Sequence, residues 1–392
     1  MFSSNHPFGV TEICSTHHIL TSPSNPHGIT PIDFGSAKLN PNILPLPPNA
    51  KYPYFIIGRS TTDGSYQEIV ACFADFEHLP LTQRRILKCV DEPKVITVPS
   101  TKAKKCEKTW MELVKGPHDP RVFWSPKGEP LMTFGTQSSF TCFGQWIVDL
   151  RAVYQPLNDL LSGTIGGNIN FSELQELRRP EPYGEFEKNW FLIWDETGDM
   201  YVHHDSNPRV FSKLGVETPV NLAQEKPCRS LPDPSLLPEG VDHHQSTNTL
   251  LVFLCKRLSC PPNPPQVLIS IHQKKYFEMY HAFYQRYVIV YSATFPFHEI
   301  GRTKMLDMLG TKEGEMNYIV SLAWEVRNQG SLAPPKGHVG EGLSDQDATS
   351  WKEHLYDGYL DDTVLISLGI EDKYSAMLDV IAQDLVGCLD TC

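Results

Sequence analysis

Acidic and polar residues stand directly before the apolar segments of this sequence. They are Asp119 and Arg121 in GPHDPRVFW, Glu187 and Asn189 in EFEKNW, His244 and Asn248 in DHHQSTNTL, and Asp361 and Asp362 in DGYLDD. Two carboxyl groups are suited to catalysis at a glycosidic carbon. One protonates the leaving oxygen, and another group activates the attacking group or stabilises the carbon on the opposite face of the sugar. The pattern predicts acid and base chemistry by carboxylates, with Asp119, Glu187 and Asp361 as the catalytic candidates.

Aromatic and amide side chains beside these acids suit the binding of a sugar, whose ring has an apolar face and whose hydroxyls need hydrogen bonds. The predicted substrate-binding residues are Arg121, Asn189, Trp190, His244, Asn248, Tyr359 and Asp362, and the further aromatic faces are Trp124, Tyr201 and Trp324. Structural roles compete at each position, because an Asp-Pro pair often starts a turn and a tryptophan often packs in a core.

Other kinds of chemistry lack their motifs. The sequence holds no Gly-x-Ser-x-Gly elbow, no Gly-rich phosphate loop, no dinucleotide fingerprint and no Cys-x-x-Cys pair. His203 and His204 are adjacent, and successive residues of a strand point to opposite faces, so the two rings are poorly placed to bind one metal ion. We therefore expect no cofactor and no metal.

Charge and hydropathy narrow the range of partners. The chain has 34 Lys and Arg against 46 Asp and Glu and a net charge of -12, so it lacks the excess of cations that nucleic acid binding needs. No stretch approaches the roughly 18 to 20 apolar residues that span a bilayer. The sequence predicts a soluble protein whose partner is a carbohydrate or glycoside, with no nucleic acid and no membrane span, and it leaves the oligomeric state open.

The ten cysteines leave the cellular compartment open. Cys255 and Cys260 could close a small loop in an oxidising compartment, whereas Cys142 lies in the apolar segment FTCFGQWIV and is expected in the core. Asn170, in Asn170-Phe171-Ser172, is a glycosylation acceptor if the protein is secreted. The first residues, MFSSNHPFGV, show neither the basic nor the apolar region of a signal peptide, which favours a cytoplasmic location unless the chain has been trimmed.

Short hairpins repeat along the chain and predict an all-β fold. A strand of β-branched and aromatic residues, a turn with Gly or Asp and a second strand recur about five times, for example in RVFWSPKGEPLMTFGT and NWFLIWDETGDMYVHH. Hairpins that are too small to bury their own faces and that repeat at spacings of tens of residues are typical of a β-propeller, here with five blades. A double-sheet sandwich is the alternative.

Composition also divides the chain. Residues 1–50, rich in Pro, Asn, Ser and His, are predicted to form an N-terminal arm, and residues 51–392 a single propeller domain. Residues 225–245 and 328–350 have the composition of long surface loops. Helices are expected chiefly at 172–179 and at 373–389, where a short C-terminal helix has apolar residues at helical spacing.

Three segments resemble the five-bladed β-propellers that make, phosphorolyse or hydrolyse β-mannosides. GPHDPRVFW and the hairpin after it resemble the Glu-Asp-Pro-Arg signature of that group. EFEKNWFLIWDETGDMYVHHDSNPRVF is similar to the next blade of the group and of the fungal β-1,2-mannosyltransferases. YDGYLDDTVLISLGIED resembles the group's His/Tyr-Gly-x-x-Asp-Asp strand, with its Gly-x-x-Asp ending at Gly369 and Asp372.

This resemblance implies a fold, an activity and roles for single residues. It makes Asp119 the catalytic acid, Arg121 a contact to sugar or phosphate, and Asn189 and Asp361 the residues that hold sugar hydroxyls. The implied activity is glycosyl transfer or hydrolysis, with mannosides as substrates, in the secretory pathway or in bacteria. A secretory location requires a leader or anchor outside this sequence.

Two other functions stay open. His118 stands where the signature has Glu, and Asp357 stands where a His often precedes the Gly, so a non-catalytic sugar-binding or scaffolding propeller is one alternative. A propeller enzyme of fungal specialised metabolism with a non-sugar substrate is the other. A wide, apolar channel without convergent carboxylates would favour the last of these.

Overall fold

Strands dominate the structure. A computed structural model of the chain describes residues 17–62, 66–79, 84–104, 106–165, 169–222, 242–278, 281–326, 353–387 and 389–392. Strands account for 51% and helices for 8%, which confirms the prediction of an all-β fold. Of the two predicted surface loops, residues 225–241 and 328–350 lie outside the described residues, whereas Asp242–Gln245 form a strand.

Five antiparallel meanders follow one another in the described part of the chain. The first comprises β3 (Leu39–Pro45), β4 (Tyr54–Thr62), β5 (Tyr66–Leu79) and β6 (Arg84–Cys89), with β7 (Lys94–Ile96) beside β5. The second comprises β8 (His118–Trp124), β9 (Pro130–Gln137), β10 (Phe143–Asp149) and β11 (Gln175–Glu176). The third comprises β12 (Phe191–Trp194), β13 (Met200–Ser206) and β14 (Arg209–Lys213).

The fourth and fifth meanders complete the series. The fourth comprises β15 (Asp242–Gln245) and β16 (Leu250–Phe253), which both pair with β17 (Gln266–Glu278), then β18 (His281–Ser292) and β19 (Glu299–Thr303). The fifth comprises β21 (Asn317–Trp324), β23 (Thr363–Ile370) and β24 (Tyr374–Ile381).

The remaining strands and helices join or cover the meanders. The strands are β1 (His17–Leu20), which pairs with β20 (Met305–Met308), β2 (Thr30–Asp33), which pairs with β24 and β6, β22 (Asp357–Tyr359), which pairs with β16, and β25 (Leu389–Thr391), which pairs with β19. The helices are α1 (Leu150–Val153), α2 (Gln155–Leu161), α3 (Glu353–Tyr356) and α4 (Ala382–Val386). Among the described residues, no helix has the length and apolar character needed to cross a bilayer.

Local turn chemistry explains why the hairpins form where the sequence predicts them. Between β12 and β13 the Asp195 carboxylate accepts hydrogen bonds from the Thr197 and Asp199 N–H groups, both at 2.9 Å. Gly198 takes the left-handed φ of 81° that closes this turn. The strands on either side bury apolar residues between neighbouring sheets, and each large aliphatic side chain so buried contributes roughly 1.5 to 3 kcal/mol.

Two buried asparagines tie the first strands of neighbouring meanders to one another. Asn42 in β3 donates to the Pro120 carbonyl at 2.8 Å and accepts from the Val122 N–H of β8 at 3.2 Å. Asn248, between β15 and β16, donates to the Leu322 carbonyl of β21 and accepts from the Leu322 N–H, both at 3.0 Å. Buried amides satisfied in this way hold strands in a fixed register. These amides therefore fix β3 against β8 and the segment before β16 against β21.

Two sequence expectations about local structure need correction. Residues 374–381, expected within the C-terminal helix, form β24, because this apolar segment is buried and pairs with β23 on one side and β2 on the other. Only Ala382–Val386 are helical there. Residues 172–179 are not a helix, because Gln175 and Glu176 pair with β10. Apolar residues at helical spacing also suit a strand that is buried on both faces, so tertiary pairing decides.

The predicted N-terminal arm contributes strands to two of the sheets. Among residues 17–50, β1 pairs with β20, β2 joins β24 to β6, and β3 is the first strand of the first meander. The composition of this segment predicted extended structure, and the strands agree with that. The domain boundary at residue 50 stays a prediction.

Three disulfides join described cysteines: Cys72–Cys89, Cys106–Cys142 and Cys255–Cys260. The predicted Cys255–Cys260 loop is confirmed. Cys142 is buried as expected, with 4% exposure, but it is bonded to Cys106 and is not a free core cysteine. Disulfides of this number are typical of an oxidising compartment.

We expect the double substitution Cys72→Ala/Cys89→Ala to lower the free energy of unfolding by about 3 kcal/mol, because it opens a loop of 17 residues. Denaturant unfolding followed by tryptophan fluorescence measures this loss. The pair Cys255→Ala/Cys260→Ala opens a loop of only 5 residues and should cost less, about 2 kcal/mol. An unchanged unfolding midpoint in the first variant would show that this disulfide does not form.

Candidate active site

One cavity of about 180 Å³ opens where the first strands of the meanders begin. Every meander contributes to its lining. The lining residues are Asn40 and Arg59 from the first meander, Asp119 from the second, Lys188 and Asn189 before β12 of the third, Asp242, His244, Lys275 and Tyr284 from the fourth, and Met316, Tyr318 and Asp372 from the fifth. A second, smaller cavity adjoins this one and shares Asp119, Lys188 and Asn189.

Four lining residues hold their backbone in the left-handed region. The φ angles are 50° at Asn40, 47° at Asp119, 60° at Asn189 and 45° at Asp372. Residues with a side chain rarely adopt such angles, at a cost of roughly 1 to 3 kcal/mol each, and they concentrate at functional sites. The described part of the chain holds only three others of this kind, Asn263, Phe297 and Glu371. Most of this strain therefore lies around one cavity.

β-Bulges accompany two of these residues. The pairing of β3 with β4 shifts register between Leu39 and Asn42, and that of β8 with β9 shifts between His118 and Arg121. A bulge bends a strand and re-aims a side chain, and bulges are frequent beside active sites. The first strands of meanders one and two thus begin alike, with an Asn-Pro or an Asp-Pro pair that turns its first side chain into the cavity.

The Asp119 carboxylate is held at one oxygen and open at the other. Asn40 Nδ2 lies 2.6 Å from Oδ1, and Arg59 Nη1 lies 3.0 Å from the same oxygen. No described residue donates a hydrogen bond to Oδ2. The side chain is 44% exposed, and this exposure faces the cavity. One carboxylate oxygen is therefore free to contact a ligand.

Charges around Asp119 favour its ionised form. Burial acts to raise the pKa of Asp119, but Arg59, and after it Arg121, His118 and Lys188, outweigh burial and hold the pKa below its usual value. A proton donor at neutral pH needs a raised pKa, as acid catalysts in glycosidases have. The lowered pKa suits a general base or a charge that stabilises a positive transition state.

We expect Arg59→Met to raise the pKa of Asp119, because burial then acts against fewer nearby cations. A carbon-13 NMR titration of the Asp119 carboxyl carbon measures this shift. Arg178→Met is the matched control and should leave the titration unchanged. Arg178 is exposed, pairs with Glu217 and does not line the cavity. An unshifted Asp119 in Arg59→Met would contradict the assigned ion pair.

The opposite wall carries a second carboxylate with its own partner. His244 Nδ1 lies 3.2 Å from Asp242 Oδ2, and this hydrogen bond is the largest of the influences that lower the pKa of Asp242. Burial, followed by repulsion from Lys188, lowers the pKa of Lys275. The Tyr284 ring meets the Tyr318 ring edge to face at 5.1 Å. The lining is therefore charged and polar, with aromatic edges on one side.

The structure brings three of the predicted site residues to this lining: Asp119, Asn189 and His244. Arg121 lies beneath it with 4% exposure, where Nη1 donates to the Pro120 carbonyl at 3.0 Å and Nη2 to the Tyr318 hydroxyl at 3.0 Å. Trp190 touches only the smaller cavity and is 2% exposed, packed edge to face on His204.

Glu187 and Asn248 do not reach the lining of the larger cavity. Glu187 is 5% exposed, accepts from the Gly184 N–H at 2.5 Å and pairs with Arg179 at 3.2 Å, so its carboxylate holds the segment before β12 in place. Asn248 is the buried amide that ties the fourth meander to β21. Both side chains position the first strands and have no open atom toward the cavity.

Asp361, Asp362 and Tyr359 lie elsewhere, so their expected convergence with Asp119 is not observed. Asp362 pairs with Arg257 at 2.6 Å, Asp361 accepts from the Arg257 N–H, and the Arg257 guanidinium lies over the Tyr359 ring. Asp362 lines a separate pocket with the last residues of β3 and β21, whereas the candidate site lies at their first residues. Arg257 thus contacts both adjacent acids, Asp362 through its guanidinium and Asp361 through its backbone N–H.

Several lining residues were not predicted from the sequence: Asn40, Arg59, Asp242, Lys275, Tyr284, Tyr318 and Asp372. The signal for Asn40 was present, because Asn40-Pro41 precedes an apolar run as Asp119-Pro120 does. Asp372 closes the Gly-x-x-Asp ending of the last resembling segment. The positions of Lys275 and Tyr284 depend on the long β17–β18 hairpin, which local patterns do not define.

The two adjacent histidines point to opposite faces, as expected for a strand. His203 Nδ1 is bonded to Gln245 at 2.6 Å, and His204 Nε2 is bonded to Ser212 at 3.0 Å. Within the described ranges, no group of three or more His, Cys, Asp or Glu side chains is arranged to hold a metal ion.

Comparisons with known proteins give structural likenesses at low identity. No family model matches this chain, and no curated protein is similar to it. A putative glycoside hydrolase from Parabacteroides distasonis is 9% identical with a TM-score of 0.45, over 94% of this chain and 97% of that one. A mannose phosphorylase from Leishmania mexicana is 11% identical with a TM-score of 0.39, over 98% of this chain and 92% of that one.

A GDP-Man-dependent mannosyltransferase from Leishmania mexicana is 10% identical with a TM-score of 0.38, over 95% of this chain and 90% of that one. Likenesses of this size carry no argument about activity, which rests on the residues of the site itself.

Proposed function

We propose that this chain is a carbohydrate-active enzyme that acts at a glycosidic bond, by glycosyl transfer or hydrolysis, in the cavity where the five meanders begin. β-Mannosides are the proposed substrates. We also propose that the meanders are the blades of a five-bladed β-propeller whose channel mouth is this cavity.

One observation carries the proposal: strained, non-glycine residues from four segments aim amide and carboxylate groups into a single cavity. Asn40, Asp119, Asn189 and Asp372 each hold a left-handed φ there. Backbone strain of this kind persists only where the surrounding structure enforces it. Amides and carboxylates are the groups that bind sugar hydroxyls and that act on a glycosidic carbon.

Asp119 is the proposed reactive carboxylate. Its free Oδ2 faces the cavity, and its lowered pKa keeps it ionised. In that form it can take the proton of an attacking hydroxyl or stabilise the positive charge that develops at the anomeric carbon. Asn189 and Asn40 suit hydroxyl contacts, and Lys188 and Lys275 suit an anionic group at the leaving or attacking oxygen. This assignment differs from the proton-donor role that the sequence resemblance implies for Asp119.

A sugar-binding module without turnover is the second candidate function. The observation in its favour is that the pKa values of both Asp119 and Asp242 are lowered, which leaves neither suited to donate a proton at neutral pH. The charged lining argues against the other alternative, an enzyme of specialised metabolism with a wide apolar channel for a non-sugar substrate.

The proposal is tested by a product screen. The protein is incubated with β-linked mannobiose and mannotetraose in water, with the same sugars and inorganic phosphate, and with GDP-mannose and mannobiose, and products are separated by chromatography. Release of mannose would support hydrolysis, formation of mannose 1-phosphate would support transfer to phosphate, and chain extension would support glycosyl transfer to a sugar. Binding of these sugars without any product would favour the sugar-binding module, and neither binding nor product would overturn the proposal.

A further inference from the structure

We propose that Trp110 and Phe186 form an aromatic platform that binds a further sugar unit of an oligosaccharide whose reacting end lies in the cavity. This inference rests on the proposed function. The two rings are stacked, with centroids 5.5 Å apart and an interplanar angle of 18°. They are 49% and 39% exposed, so each ring presents part of its apolar surface to solvent.

The platform is continuous with the candidate site. Phe186 is two residues from Lys188, which lines both cavities, so their Cα atoms are at most about 7 Å apart. Around Phe186 the backbone is fixed to Phe143, because the Phe143 N–H donates to the Glu185 carbonyl and the Glu187 N–H donates to the Phe143 carbonyl. Phe143 itself lines the smaller cavity beside His118 and Asp119.

The segment that carries Trp110 is attached to the second meander next to Phe143. Trp110 lies in a 3₁₀ helix, Thr109–Leu113. The Cys106–Cys142 disulfide ties the chain just before this helix to the residue before Phe143. Gln137 Nε2 donates to the Met111 and Val114 carbonyls, both at 3.0 Å. A pair of exposed rings held by a disulfide and a backbone bridge is pre-organised, which lowers the entropic cost of binding.

The chemistry around the rings fits a sugar better than an apolar partner. A salt bridge of 3.2 Å between Lys108 and Glu185 borders the pair and offers polar groups to hydroxyls. Flat aromatic faces match the apolar face of a pyranose ring, and polar neighbours match its edge. The aromatic faces named from the sequence are covered: Trp124, Trp190, Tyr201 and Trp324 are all less than 9% exposed, and the Arg257 guanidinium lies over the Tyr359 ring.

Titration calorimetry of Trp110→Ala tests the platform, in an Asp119→Asn background that prevents turnover. We expect mannotetraose to bind about tenfold more weakly, which corresponds to about 1.4 kcal/mol, and methyl β-mannoside to bind as in the background alone. Trp110→Phe keeps a ring and should restore most of the affinity. Phe295→Ala, at an exposed aromatic residue that packs on Tyr201, is the matched control and should change neither affinity.

Equal affinity for mannotetraose with and without the Trp110 ring would overturn the platform alone. Absence of binding by either sugar in the Asp119→Asn background and in the unaltered protein would overturn the proposed function, and the platform with it.

A separate observation supports a modification site: we infer that Asn170 carries an N-linked glycan. Asn170-Phe171-Ser172 is the single Asn-x-Ser/Thr triplet in the sequence. Asn170 and Ser172 are exposed on a turn, and Phe171, 8% exposed, anchors the turn in the core. A groove of about 700 Å³ beside Asn170 leaves room for a sugar. The three disulfides independently place the chain in an oxidising compartment.

The side chain geometry is compatible with this modification. Asn170 Nδ2 donates a hydrogen bond to Glu129 Oε1. In the transfer, Nδ2 bonds to the anomeric carbon of the first sugar and loses one proton, and a lipid diphosphate leaves from that carbon. The remaining N–H can still donate to Glu129, so the contact survives.

Mass spectrometry of the full chain, secreted from a eukaryotic host behind a secretion leader, tests this inference. We expect a glycan mass on the Asn170 peptide that peptide N-glycosidase removes. Asn170→Gln and Ser172→Ala should both abolish it, and Ser172→Thr should keep it. An unmodified Asn170 peptide, in secreted or in retained protein, would overturn the inference.

Discussion

Replacement of Asp119 by asparagine should reduce turnover of any accepted glycoside by about a thousandfold and leave the fold intact. The loss is expected because the amide can neither take a proton nor stabilise a positive charge at the anomeric carbon. The fold should survive because an amide oxygen can still accept the hydrogen bonds that Asn40 and Arg59 now give to Oδ1. Turnover is measured by product release, and stability by thermal unfolding.

Asp159→Asn is the matched control for this prediction. Asp159 is an exposed carboxylate on α2 that contacts Gln155 and does not line either cavity, and its loss should change neither turnover nor stability. Turnover by Asp119→Asn at the rate of the unaltered enzyme would remove Asp119 from the reaction. It would leave Asp242 and Asp372 as the remaining carboxylates of the cavity.

The second large effect is a loss of stability in mild acid. Four buried or half-buried histidines lie in the third and fourth meanders. Burial lowers the pKa of His203 to about 3, of His204 to about 2 and of His243 to about 4, and it holds the pKa of His272 well below its usual value. Unfolding would return each of them to a pKa of about 6.5.

The sign of the pH dependence follows from proton uptake. Because the unfolded chain binds more protons than the folded one, stability is complete above about pH 6.5 and falls as the pH falls toward the folded pKa values. At pH 5 His203, His204 and His243 each contribute a loss of about 2 kcal/mol, and His272 acts in the same direction, so the group contributes several kcal/mol. That is a large part of the 5 to 15 kcal/mol that stabilises a typical domain.

Urea unfolding at pH 7 and pH 5, followed by tryptophan fluorescence, measures this loss as a shift of the midpoint to lower urea. His78→Gln, at an exposed histidine of β5, should show the same shift as the unaltered protein. Equal midpoints at the two pH values would mean that the four histidines are not buried in neutral form.

Local features of the fold could be predicted from the sequence, whereas pairing between distant segments could not. The β12–β13 hairpin follows from alternating apolar residues and an Asp/Gly turn that stabilises itself. The strand at 374–381 was predicted as a helix, because its strand conformation depends on pairing with β23 and with β2, and β2 lies more than 340 residues earlier in the chain. Periodicity in a short apolar run does not decide between the two.

For the candidate site, too, some residues could be predicted from local sequence and others could not. Asp119 and Asn189 could be predicted because each precedes the first strand of a meander, and equivalent positions of repeats converge. Asp361 and Asp362 obeyed the same local pattern, but β22 pairs with β16 at the other end of the structure, and Arg257 neutralises the two acids there. The pattern of acids before an apolar strand therefore identifies turns, and only the topology tells which turns share a cavity.

A crystal structure of the Asp119→Asn variant with mannobiose tests the central claim most directly. We predict that the sugar lies in the cavity where the meanders begin, with a glycosidic or hydroxyl oxygen within hydrogen-bond reach of residue 119, about 3 Å, and with contacts to Asn189 and Lys188. Sugar bound only outside this cavity, or a cavity that stays empty at saturating mannobiose, would contradict the account.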